Sequence, residues 1–165
     1  MNLTLHQPRP SDYEALASWV PDAVACLRWA GPRIPFPFSV SELPDLLVVP
    51  GGTSYFLAEG CGVPCGFGQH WVIVAGSVHL GRIIVSPAAR GKGVGRALCE
   101  LLIGEAVRCT GANAITLRVY RDNAVAVSLY SSLGFLPVEA DSDKEAIFMR
   151  LEVNTSIERA ASSCA

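Results

Sequence analysis

The stretch that decides the fold runs from His79 to Leu102, HLGRIIVSPAARGKGVGRALCELL. Its first seven residues, His79 to Val85, are rich in β-branched and apolar types and are closed by Ser86-Pro87, since proline cannot continue a ladder. Beyond Gly93, the residues Val94, Ala97, Leu98, Leu101 and Leu102 recur at helical spacing and predict a helix with one buried face. The small, basic segment from Ala88 to Lys92 lies between the two. A helix that opens there turns free backbone N–H groups and the positive end of its dipole toward Arg90, Lys92 and Arg96. The product is an anion site suited to phosphate or pyrophosphate. Glycines at 91, 93 and 95 leave room for a bulky anion against the backbone.

Spacing separates the phosphate loops this could be. A Walker loop needs Ser or Thr after its lysine, and Lys92 is followed by Gly93. The dinucleotide pattern G-x-G-x-x-G/A would place its third small residue at Arg96 or Leu98. The pattern present is R-x-x-G-x-G, as Arg90, Gly93 and Gly95. It resembles the pyrophosphate loop of the GNAT superfamily of acyl-CoA-dependent N-acetyltransferases. A second run supports the resemblance: Asn123, Ala126, Leu129, Tyr130, Gly134 and Phe135 are similar to that family's N-x-x-A-x-x-L-Y-x-x-x-G-F on the helix after its fifth strand.

The resemblance implies roles. Arg90, Gly91, Lys92, Gly93, Val94, Gly95 and Arg96 would hold the pyrophosphate of acetyl-CoA. Backbone groups of Ile83, Ile84 and Val85 would pair with the pantetheine arm and polarise the thioester carbonyl, provided the sheet splays after that strand. Asn123 and Ala126 would also contact the donor, with helix capping the alternative for Asn123. Tyr130 would line the donor site and protonate the departing sulfur, with packing on its helix the alternative. An unperturbed thiol titrates near about 8.5 and tyrosine near about 10, so a neutral phenol is a suitable acid beside a new thiolate.

The general base is less defined. Many members of the family place a glutamate on the strand before the loop, and HLGRIIV contains no carboxylate. His79 is the candidate there, with a surface position at the strand's far end as its alternative. Glu59, His70 and Glu139 are weaker candidates on or beside neighbouring strands.

The remaining chain reads in order. Leu3 and Leu5 alternate in a first strand, and Ser11 with Glu14 predicts a capping box for the helix that follows. A short helix over 22–29 leads into Arg28-Trp-Ala-Gly-Pro-Arg-Ile-Pro-Phe-Pro-Phe38, whose three prolines forbid a long helix or a central strand. Trp29, Phe36 and Phe38 on this loop either cap the core or wall the acceptor pocket, as the corresponding region does in the family. Ser41 is read as the start of another helix, and strands follow over 53–59 and 65–75, with a bulge expected along Gly66-Phe-Gly68. After the long helix come a strand over 114–120, a helix capped by Asp122 or Asn123, and strands over 135–139 and 146–153.

Composition bounds the function. The 165 residues are 50% apolar with a net charge of −2, which suits one globular domain over 1–153 and a flexible tail over 154–165. No basic field invites nucleic acid, and no apolar run is long enough to span a membrane. The N-terminus lacks a signal-peptide layout, so a cytoplasmic protein is expected. Six cysteines show no metal-ligand spacing, and Cys99 reads as a small buried thiol. The expected fold is α/β and GNAT-like: a mixed, mostly antiparallel sheet of six or seven strands flanked by about four helices. The expected function is direct transfer of acetyl from acetyl-CoA to a primary amine of a small molecule or peptide, with no metal and no acyl-enzyme. A non-catalytic acyl-CoA sensor and an acetyltransferase for protein acceptors are the alternatives, and a homodimer is left open.

Overall fold

The computed structural model describes residues 2–154, so the tail expected over 154–165 lies almost wholly outside the described residues. The strands are β1 (Leu3–His6), β2 (Gly52–Glu59), β3 (Pro64–Val74), β4 (Ser77–Val85), β5 (Ala114–Tyr120), β6 (Leu136–Pro137) and β7 (Ala146–Glu152). The helices are α1 (Asp12–Ser18), α2 (Ala23–Ala30), α3 (Leu43–Leu46), α4 (Val94–Thr110) and α5 (Ala124–Ser132), one more than expected. The seven strands run in the order β1-β2-β3-β4-β5-β7-β6. β1–β2, β2–β3, β5–β7 and β6–β7 are antiparallel, and β4–β5 is parallel, so the sheet is mixed as expected.

The chain divides into two compact units. One comprises the residues up to Trp71 together with Leu80–Gly104; the other comprises Val72–His79 and the residues from Glu105 on. In the first unit, Leu16, Leu43, Phe56 and Phe67 are fully buried, and Tyr13, Trp19, Ile34 and Leu47 join them. The rings of Phe56 and Phe67 meet edge to face at 5.0 Å, and Tyr13 meets Phe56 at 5.7 Å. Each such side chain contributes about 1.5–3 kcal/mol through burial, so helices too short to stand alone are held by this cluster. In the second unit, Ile115, Leu117, Phe135 and Met149 are buried.

Local chemistry departs from expectation at several element ends. Ser11 has helical dihedrals (φ −67°, ψ −22°) and makes no capping bond. The Asp12 carboxylate instead accepts from the Arg9 N–H at 2.7 Å. The helical segment expected from Ser41 begins earlier, at a 3₁₀ turn over Val40–Glu42, where Glu42 reaches back to accept from the Ser39 N–H at 2.9 Å. The strand expected over 135–139 is paired only over Leu136–Pro137. On α4, Val94, Leu98 and Leu102 are buried as expected, but Leu101 is 38% exposed.

The glycines of β3 have a different reason from the one expected. The register shift sits between Leu57, opposite Gly66, and Ala58, opposite Pro64, so the bulge falls at Cys65. A Cβ on Gly66 would stand 3.0 Å from Leu98, and one on Gly68 would stand 2.5 Å from Leu102. These two positions are bare so that α4 can lie close against the strand.

Candidate active site

The glycine loop is built by β4 and α4. Pro87 ends β4 and opens a 3₁₀ turn over Pro87–Ala89. Gly91 and Gly93 then adopt φ values of +72° and +80°, a region that L side chains enter only at a cost. A Cβ at either position would meet no heavy atom within 4 Å, so the loop's outer face is open. Val94, buried at the first position of α4, anchors the helix start. The Ala97 N–H donates to the Gly93 carbonyl at 3.2 Å, which leaves the N–H groups of Val94, Gly95 and Arg96 without an acceptor inside the helix.

The loop's three cations are disposed differently. Arg90 folds back so that its Nε donates to the Val85 carbonyl at 3.2 Å. Arg96 pairs with Glu100 at 3.0 Å, and Lys92 is exposed. Open glycine backbone, a helix N-terminus and an exposed lysine together fit a pyrophosphate. A 17-residue helix behind the loop gives the dipole its full effect.

The same unit contains the strand run Ile83–Val85 and the aromatic loop. All three strand residues are half-buried. The ladder between β4 and β5 covers only Ser77–His79 against Ala114–Thr116, so Ile83–Val85 lie beyond its end. Trp29 is half-buried, meets Phe67 edge to face, and donates its indole N–H to the Arg82 carbonyl at 2.8 Å. That bond ties the end of α2 to the residue before Ile83. Phe36 is 37% exposed and meets Phe38 edge to face at 5.7 Å.

A group missed in the sequence surrounds Arg82. Its backbone has φ +51°, the left-handed region, on a residue that is not glycine. Its Nη1 donates to Gln69 Oε1 at 3.0 Å and to the Leu47 carbonyl at 3.3 Å. Gln69 is 2% exposed, and its Nε2 donates to Leu47 O at 2.6 Å and Ser54 Oγ at 2.8 Å. The available signal was an arginine and a glutamine interrupting otherwise apolar strand runs.

The second unit holds the remaining sequence-derived residues. Asn123 caps α5, its Oδ1 accepting from the Ala126 N–H at 3.2 Å, which is the capping alternative weighed for it. Tyr130, two turns on, is 8% exposed and meets the Phe135 ring edge to face at 6.0 Å. His79 is not a surface residue: its Nδ1 lies 2.9 Å from Thr116 Oγ1 and its ring stacks on Phe148. Burial first, then the Arg118 charge, push its pKa down to about 4, so the ring is neutral at pH 7 and a poor proton acceptor.

Glu59 is exposed at the end of β2, and Glu139 is exposed and paired with Arg121 at 3.3 Å. His70 is buried and stacks on Tyr55. Burial holds the Cys99 thiol up at about 12, the property of an inert core cysteine. Among the described residues, no group of three or more metal-ligating side chains is present, and no helix is long and apolar enough to cross a membrane.

Comparison with known proteins bears on the family and the fold. The profile of the acetyltransferase (GNAT) family matches residues 19–135. A mycothiol acetyltransferase of Renibacterium salmoninarum is 42% identical over 82 residues, covering 46% of this chain and 24% of that protein. One of Streptomyces avermitilis is 37% identical over 90 residues, covering 53% of this chain and 28% of its own. The chain therefore matches about a quarter of the length of these relatives. Among solved structures, the ribosomal-protein-S18-alanine N-acetyltransferase of Escherichia coli superposes with a TM-score of 0.68 at 26% identity, covering 94% of this chain and 97% of that one. The spermidine N-acetyltransferase of Vibrio cholerae, solved with CoA and spermine, gives 0.74 at 20% identity, covering 92% and 95%.

Proposed function

The chain belongs to the acetyltransferase (GNAT) family, and on that premise we propose that it transfers the acetyl group of acetyl-CoA directly to a primary amine. The observation that carries the proposal is the open glycine loop at the start of α4, where Gly91 and Gly93 present bare backbone beside Lys92. Acetyl-CoA supplies an acetyl group activated as a thioester, which the protein need only hold and polarise.

The residues divide that work. The loop from Arg90 to Arg96 takes the pyrophosphate through backbone N–H groups and charge. The backbone of Ile83, Ile84 and Val85 pairs with the pantetheine amides in the manner of an added strand, and one N–H polarises the acyl carbonyl. Asn123 and Ala126 set the start of α5, and Tyr130 supplies the proton that the departing sulfur needs. Trp29, Phe36 and Phe38 form the acceptor wall, of which Trp29 is bonded to β4.

The environment of His79 argues against using it as the base, because a ring with a pKa near 4 cannot hold a proton taken from an amine at pH 7. In this reading the amine arrives deprotonated; after attack its nitrogen releases one proton to solvent, and Tyr130, having given its own to the sulfur, recovers one from solvent. The proposal treats residues 1–153 as one catalytic domain. It places the protein in the cytoplasm, in keeping with five free cysteines among the described residues.

The test is donor binding. Gly93→Glu puts a negative side chain where the phosphate would sit and forces a left-handed backbone on a non-glycine residue. Calorimetric titration with acetyl-CoA should show saturable binding to the wild type and none to the variant, with both folded by circular dichroism. Equal affinity for the two would remove the loop from the donor site.

A further inference from the structure

The exposed arginines 96, 108, 118 and 121, and half-buried Arg150, each pair with a carboxylate of their own unit. Arg82 is half-buried and pairs with none: its Nη1 bonds only to the Gln69 amide oxygen and the Leu47 carbonyl. A guanidinium has five N–H donors, and two neutral acceptors at one nitrogen leave Nε and Nη2 without a protein partner among the described residues. A partly desolvated cation without a counter-charge is costly, and the chain places a second cation nearby rather than an acid. Burial, and then the charge of Arg33 on the aromatic loop, hold the Arg82 guanidinium below its ordinary basicity.

The group is also rigid. Gln69 is locked by Leu47 and Ser54 so that its oxygen faces Arg82. The Trp29 indole fixes the Arg82 carbonyl, and the strand at Arg82 has the left-handed φ described above. An immobile fork loses little entropy when it grips a planar anion, and a carboxylate matches that fork with two parallel bonds.

From this arrangement we infer that Arg82, assisted by Arg33, binds a carboxylate carried by the acceptor, so that the acceptor class is an amine bearing a carboxylate, such as an amino acid or a short peptide. The inference rests on the acetyltransferase reading above and narrows its substrate. It is specific to this unit's geometry: Arg82 immediately precedes the run Ile83–Val85 assigned to the donor, and Trp29 and Arg33 belong to the loop assigned to the acceptor. The phosphates of the donor are served by the glycine loop and do not need Arg82.

The experiment measures acetyl-CoA-dependent acetylation of the twenty L-amino acids and glycylglycine, each beside its primary amide, with spermidine as a carboxylate-free amine. Free acids should be used with kcat/KM about ten-fold or more above their amides, as loss of a charge-assisted bidentate contact implies. Arg82→Gln should raise KM for the acids about 10- to 100-fold while leaving KM for the amides and the affinity for acetyl-CoA unchanged. Arg33→Gln alters an exposed side chain that the fold does not need, so it guards against a misfolded Arg82 variant; it should raise KM for the acids by about three-fold. Amides or spermidine used as well as the acids would overturn the inference and leave the acetyltransferase reading standing. So would an Arg82→Gln effect equal for acids and amides. Failure of the wild type to bind acetyl-CoA would overturn that reading, and the inference with it.

Discussion

At the scale of single residues, the proposed chemistry rests on Tyr130. Its ring is held by burial on α5 and by the Phe135 ring, contacts that a phenylalanine keeps. Tyr130→Phe should lower kcat by about 100-fold or more, within the usual range for loss of a general acid, and leave acetyl-CoA affinity within about two-fold. Loss of affinity with unchanged kcat would make Tyr130 a packing residue. Tyr130 and Asn123 were legible in the sequence because they lie in one local run at fixed spacing. Arg82 was not, since its partners Gln69 and Trp29 are 13 and 53 residues away in the chain and no local pattern joins them. Its left-handed backbone is likewise invisible in a run of β-forming residues.

At the scale of elements, hydrophobic periodicity and turn residues located the seven strands and five α-helices of the described residues, while the ends depended on competition among nearby polar groups. Asp12 and Glu42, rather than Ser11 and Ser41, satisfy the backbone donors at their segments, because a carboxylate accepts more strongly than a hydroxyl. Gly66 and Gly68 could be located but not explained until α4 was seen lying on β3, with Leu98 and Leu102 at the sites a Cβ would fill. The last pair of the β4–β5 ladder, His79 against Thr116, has a consequence for pH. Its folded-state pKa of about 4 lies below the ordinary 6.5, so as pH falls the unfolded chain takes up the proton first. Stability from this group is intact above about pH 6.5 and is lost as pH falls toward 4. Urea unfolding should show the wild type losing about 2 kcal/mol more than His79→Gln between pH 7 and pH 4, after allowance for partial exposure of the ring. Parallel losses in the two proteins would contradict the buried neutral histidine.

At the scale of the whole molecule, two runs of sequence were enough to predict the mixed α/β fold and the family, and both were confirmed by the seven-stranded order and by the match over residues 19–135. The proposed donor loop is legible because a phosphate loop needs particular backbone conformations, and glycine records them. The proposed acceptor side rests on long-range contacts, and the similar proteins do not narrow it: their names include mycothiol, spermidine and ribosomal-protein acetyltransferases. The central claim is catalysis of acetyl transfer to an amine. The measurement that tests it most directly is release of CoA thiol from acetyl-CoA, with and without an amine acceptor, against a protein-only blank that accounts for the chain's own cysteines. Acceptor-dependent thiol release, matched mole for mole by an N-acetylated product in the mass spectrum, is the expected result. Thiol release that is independent of every amine offered, or binding of acetyl-CoA with no release, would contradict it.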